Sequence, residues 1–197
     1  MTVTDTVKIV RAKTRKVWRK WLEQNHTKEK GVWLIMYRKD SNVPSVNYAE
    51  AVEEALCVGW IDSIKKKRDA ESSIQFFSQR KPKSYWSRLN RERVEKLSKQ
   101  GLITPAGQTV IDLAKTNGAW TALGDVEEIV IPSDLKKRFS RNVKAYRNFE
   151  GFPPSSKKII LLWILNAKTP ETRRKRIEET VLLAKKNIRA NHYQKKQ

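Results

Sequence analysis

A chain of 197 residues suits one domain, or one domain with a helical appendage. A hydrophobic share of 39% with seven Trp excludes a globally disordered chain. Forty-two Lys and Arg against 21 Asp and Glu leave a formal charge of +21, which points to polyanions: nucleic acid, an anionic membrane face or an acidic protein.

Val17, Trp18, Trp21 and Leu22 recur at helical spacing between cations and predict an amphipathic helix over 13–24. "GVWLIMYRK", 31–39, reads as a strand, and "DSNVPS" as the loop that ends it. In "NYAEAVEEALCVGW" Asn47 is the expected N-cap, with Ala51, Ala55, Leu56 and Val58 on the inner face. Glu50, Glu53 and Glu54 fall opposite and read as a solvated face that favours the helix dipole. Gly59 ends the helix. Residues 60–69 and 72–79 then form two antiparallel strands turning at Asp69-Ala70-Glu71, with Lys65 and Lys67 on one side.

"SQRKPKSYWSRLN", 78–90, leads into a helix over 85–99 whose stripe is Trp86, Leu89, Val94 and Leu97, capped by Ser84 or Ser87. Gly101 closes it, and Thr104-Pro105 starts another with Val110, Ile111, Leu113 and Ala114 buried. The acidic stretch 121–133 is the best boundary. Three helices follow, at 134–147, 156–168 and 170–190, the last opening on Thr169-Pro170 with Ile177, Val181, Ala184 and Ile188 as its stripe. The expected fold is α+β: a small antiparallel sheet packed with helices over 1–125, then a basic helical region over 126–197. Residues 134–197 hold 18 basic and 5 acidic side chains, so the charge excess is concentrated late in the chain.

Cys57 is the only cysteine, which forbids an intrachain disulfide and suggests a reducing, cytoplasmic setting. His26 and His192 stand in no ligand spacing with it, so neither metal nor cofactor is expected. No secretory h-region is visible, and the longest apolar run, 159–165, is too short to span a bilayer. None of the nucleotide, nucleophile-elbow or zinc motifs occurs, which lowers the expectation of an enzyme.

Two constellations remain. Arg80, Lys81, Lys83 and Arg88 around Tyr85, with Arg173, Arg174 and Arg176, supply phosphate contacts and one stacking ring, the pattern of a nucleic-acid binder. Trp60, Asp62 and Lys65 at a helix-to-strand corner, with Tyr85 and Asn90, outline a pocket for a small ligand or substrate. Glu178 and Glu179 are placed to pair with Arg174 or Lys175 along the last helix.

At "ALCVGWIDS", "RKPKSYWSRLN", "GLITPAGQTVIDLAKTNGAW" and "AKTPETRRKRI" the chain resembles the YdeI/OmpD-associated family, whose members are sometimes labelled bacteriocin-protection proteins. The resemblance implies a small α+β protein with no catalytic set to carry over, and a link to envelope stress rather than to a reaction. A looser similarity to the DUF1801 group, some described as frataxin-like iron chaperones, implies metal delivery, against which the +21 charge argues. Three expectations follow. The first is a non-enzymatic protein binding a polyanion such as nucleic acid. The second is a ligand pocket around Trp60, and the third a stress-protection protein with an acidic partner.

Overall fold

The structure is a computed structural model that describes residues 7–192. It divides into two compact units between Ala122 and Leu123.

The first unit is a four-stranded sheet backed by four helices. Strands β1 (Ile9–Arg11), β2 (Gly31–Tyr37), β3 (Trp60–Lys67) and β4 (Ser72–Gln79) lie in the order β1-β2-β4-β3. The β2–β4 and β3–β4 pairs are antiparallel as expected, while the short β1 runs parallel to β2, so the sheet is mixed. Three residues carry too little periodicity to announce a strand. A β-bulge between Asp62 and Lys65 shifts the register of β3 on β4, and pairing resumes at Lys65–Gln75.

The helices are α1 (Arg15–Asn25), α2 (Tyr48–Cys57), α3 (Arg88–Lys99) and α4 (Pro105–Thr116). Local chemistry sets their starts. Asn47 and Glu50 form a complete capping box on α2, and Thr104 accepts from the Gly107 N–H ahead of Pro105 on α4. Gly59, at φ +78°, reverses the chain from α2 into β3, a conformation that costs glycine nothing and other residues strain.

One core joins sheet and helices: Trp18 and Leu22 from α1, Val32 and Leu34 from β2, Phe77 from β4, and residues of α2, α3 and α4. Burying each such large side chain is worth roughly 1.5–3 kcal/mol. The indole donors of Trp18 and Trp60 are satisfied by the carbonyls of Ala51 and His26.

Three expectations change here. Helix α3 begins at Arg88 behind the Ser87 cap, so Tyr85 and Trp86 belong to the preceding loop. Trp86 is buried there, whereas Leu89 is 55% exposed, and the α3 stripe is Val94 with Leu97. The carboxylates of α2 are not a solvated face: Glu54 is 2% exposed and holds Arg15 and Arg19, each through Nε at 2.5 Å, while Glu53 pairs with Arg15 at 2.7 Å.

The second unit is helical: α5 (Gly124–Glu127), α6 (Ser133–Phe139), α7 (Val143–Glu150), α8 (Pro154–Leu165) and α9 (Pro170–Lys185). The single helix expected over 134–147 is two, because Asn142 leaves helical geometry and its side chain caps α7 through the Ala145 N–H. The core gathers Leu135, Phe139, Phe149, Ile160, Ile164 and Ile177 among others. Ile188 lies beyond the end of α9, and buried Thr180 takes a place in its inner face.

Candidate polyanion interface

The loop between β4 and α3 is built around Arg80. Its guanidinium Nη1 donates to the Tyr85 carbonyl at 2.8 Å, to Ser84 Oγ at 3.1 Å and to the Ser84 carbonyl at 3.4 Å. The same group lies 3.8 Å from the centre of the Trp86 ring, which packs on Trp120. Arg80 is 7% exposed, and burial pulls its pKa down to about 10, opposed by the charge of Asp62. This side chain brackets the loop from inside and is withdrawn from the phosphate contacts expected of it. Lys81, Lys83 and Arg88 remain exposed, and Tyr85 is half-buried.

The residues expected to line a small-ligand pocket are engaged separately. Trp60 is core, Lys65 is exposed on β3, and Asp62 accepts a 2.7 Å hydrogen bond from the Tyr48 hydroxyl. Burial and that bond raise the Tyr48 pKa to about 12. Asn90 donates its backbone N–H to Ser87 and accepts from Arg93 Nη1 through Oδ1 at 2.9 Å. Tyr85 contributes its carbonyl to Arg80. Cys57 is buried, which raises its thiol pKa to about 11, and Arg19 donates to its sulfur at 3.5 Å. Among the described residues, no cluster of three or more His, Cys, Asp or Glu side chains is placed to hold a metal ion.

The second unit carries a cleft of about 400 Å³ between α6 and α9, lined by Asp134, Lys137, Arg138, Arg141, Arg173 and Arg174, with Pro170 and Ile177 behind them. Two of its cations are fixed. Arg173 grips Asp134 bidentately through one edge of its guanidinium, Nε to Oδ2 at 2.6 Å and Nη2 to Oδ1 at 3.0 Å, which lowers the Asp134 pKa. Arg138 reaches Glu178 at 3.1 Å, so Glu178 serves a neighbouring helix rather than Arg174 or Lys175. Lys175 pairs with Glu171 instead. Lys137, Arg141 and Arg174 are exposed and have no ion-pair partner among the described residues. Arg176, expected with them, turns away: its Nη1 donates to the Trp163 carbonyl and its guanidinium lies 5.1 Å from that ring.

The cleft brings together cations more than 30 residues apart, which is why spacing along α9 alone does not reveal it. The one local sign is Lys137 and Arg141, four residues apart in "DLKKRFSRN". Counted by structural unit, the charge is evenly shared. Residues 123–197 hold 18 basic and 8 acidic side chains, a net +10 of the total +21. No helix among the described residues is long and apolar enough to cross a membrane.

Neither the curated proteins nor the solved structures give a match. Two family models do. Residues 10–110 match a domain of unknown function, DUF8412, and include the sheet and most of its helices. Residues 128–187, which contain the cleft, match the family described as Bacteriocin-protection, YdeI or OmpD-Associated. With just over half of its length in the first match, the chain belongs to the DUF8412 domain family and carries a YdeI/OmpD-associated segment in its second unit.

Proposed function

We propose that the protein is a non-enzymatic binder of a polyanion, nucleic acid foremost, acting in a cytoplasmic setting. The observation that carries the reading is the α6–α9 cleft, where five cations line one concave surface against a single carboxylate. Two of them, Arg138 and Arg173, are already held in place, so less side-chain entropy is lost when an anion arrives. Guanidinium forks suit phosphate oxygens, and the net +21 attracts a polyanion before contact. The exposed Lys81 and Lys83 extend the same chemistry into the first unit. The single buried thiol, with no disulfide to protect, fits a reducing compartment.

The test is binding to duplex and single-stranded oligonucleotides as a function of salt. Each lost phosphate contact lowers the slope of log K against log salt by about 0.7–0.9. Arg141→Glu with Arg174→Glu is expected to weaken binding at least tenfold at low salt and to flatten that slope. Absence of binding by the native chain at low salt ends the proposal.

A further inference from the structure

The sheet of the first unit has two faces, and only one of them enters the core. Val32, Leu34, Met36 and Phe77 share one buried core with residues of α1 to α4. The register places a second set on the opposite face. Ile9 stands beside Trp33, Trp33 beside Phe76, Ile35 beside Ile74, and Ile74 beside Lys66. Strand alternation adds Arg11 and Tyr37 to that side.

The composition of this face is selective. Trp33 and Phe76 pack with ring centres 5.0 Å apart, and the Phe76 ring lies over Gly31, where a Cβ would come within 2.5 Å of it. The Lys66 ammonium sits 5.0 Å from the Trp33 ring centre, and the Arg11 guanidinium 5.1 Å from that of Tyr37. Trp33 is 8% exposed and serves as the base on which the outer rings rest; Phe76, Ile74, Ile35 and Tyr37 are half-buried, and Ile9 is 59% exposed. Phe76 and Tyr37 flank the row Arg11–Ile35–Ile74–Lys66, whose two ends are cationic, so the face offers ring surface for bases and charge for the phosphates that link them.

From this placement we infer that the outer face of the sheet binds unpaired nucleotides, making the first unit a reader of single strands. The inference rests on the polyanion reading above and adds to it which polyanion. Charge complementarity selects the occupant. A neutral apolar partner would have to desolvate Lys66 and Arg11, and an acidic peptide has no use for the rings. A duplex hides its base faces, so it can meet this surface only through its backbone.

The experiment measures affinity at low salt for oligouridylate, oligothymidylate and a mixed-sequence duplex, with the full chain and two sets of variants. Tyr37→Ala is expected to weaken single-strand binding on the order of tenfold, the worth of one stacked base, and to leave duplex binding nearly unchanged, and Lys66→Glu to weaken single-strand binding more than duplex binding. Arg141→Glu with Arg174→Glu is expected to weaken both. Phe76→Ala enlarges the sheet effect if it folds. Tyr37→Ala and Lys66→Glu decide the matter without it, with near-ultraviolet circular dichroism confirming the fold.

Sheet variants that bind single strands as the native chain does, while the cleft variants lose both ligands, overturn this inference and leave the polyanion reading standing. A native chain that prefers the duplex has the same consequence. Failure to bind any of the three ligands overturns both. Light scattering covers the remaining occupant: a native dimer that Tyr37→Ala converts to a monomer makes the face a contact between copies and overturns the inference.

Discussion

Arg80 and Arg174 come from dense cationic runs, one in each unit, and end in opposite circumstances. Arg80 is buried, spends three hydrogen bonds on its own loop and lies against Trp86. Arg174 is exposed at the rim of the α6–α9 cleft. The difference originates in the backbone around them. An irregular segment such as 81–87 leaves carbonyls without ladder or helix partners, and a five-donor side chain within reach satisfies them. Within α9 the carbonyls are bonded along the helix, so its cations have no free local carbonyl to hold; Lys175 pairs with Glu171 and the others face outward or toward a neighbouring helix. A cation beside irregular backbone can thus be drawn inward to satisfy it, as Arg80 is, whereas one on a helix finds no such carbonyl beside it.

The largest test of this contrast lies at Glu54, the point where the first unit has turned surface charge into structure. Glu54→Ala leaves two guanidinium groups without their shared carboxylate at a site where the acid is 2% exposed. The expected loss is about 3 kcal/mol, at the low end for a broken buried pair because Arg15 and Arg19 retain some solvent. Urea unfolding followed by tryptophan fluorescence reads it. A loss below 1 kcal/mol would return the α2 carboxylates to the solvated face that their spacing suggests.

Arg80→Ala comes next, at about 2 kcal/mol, from the stranded Ser84 and Tyr85 carbonyls and the lost stack on Trp86. Arg174→Ala should change stability by no more than about 0.5 kcal/mol while lowering polyanion affinity. Equal destabilisation by the two substitutions would erase the comparison.

Cys57 gives a kinetic version of the same contrast between buried and exposed groups. Its raised pKa and burial keep the thiol protonated at neutral pH, so alkylation by iodoacetamide should be slow in the native chain and fast in urea. Rapid native-state labelling would show that the α2 end opens readily.

What the sequence discloses follows the range of the physics involved. Asn47, Thr104 and Thr169 announce helix starts because a cap is decided within four residues, and each side chain accepts the N–H that the pattern assigns to it. Asn142 uses the same device inside a continuous amphipathic pattern, where the periodicity of 134–147 conceals it. Trp86 keeps helical spacing with Leu89 by coincidence and is buried from a loop, a position set by Arg80 and Trp120 rather than by neighbours in sequence. The outer sheet face had a signal that alternation alone does not use. "GVWLIMY" is apolar at both parities, as in a strand with work on both faces, yet four helices fill only one of them. The α6–α9 cleft had almost none, since Asp134 and Arg173 meet only through tertiary packing.

The smallest expected effect concerns Asp134, which separates orientation from charge within the cleft. Its carboxylate pKa is lowered first by the hydrogen bonds from Arg173, against an opposing burial effect. A carboxylate whose folded pKa lies below its unfolded value stabilises the fold above the unfolded pKa of about 4, and that contribution disappears as pH falls through the lower folded value. Asp134→Asn should therefore cost less than about 1 kcal/mol near neutrality, since the pair is substantially exposed, and the native and variant stabilities should converge under acid. Its effect on binding has a different sign structure. Removing a negative charge from the cleft favours an incoming polyanion, while freeing Arg173 costs side-chain entropy on binding. If fixed geometry matters more than net charge, Asp134→Asn binds a phosphate ligand no more tightly than the native chain. Tighter binding would show that Asp134 acts in the cleft chiefly as an opposing charge.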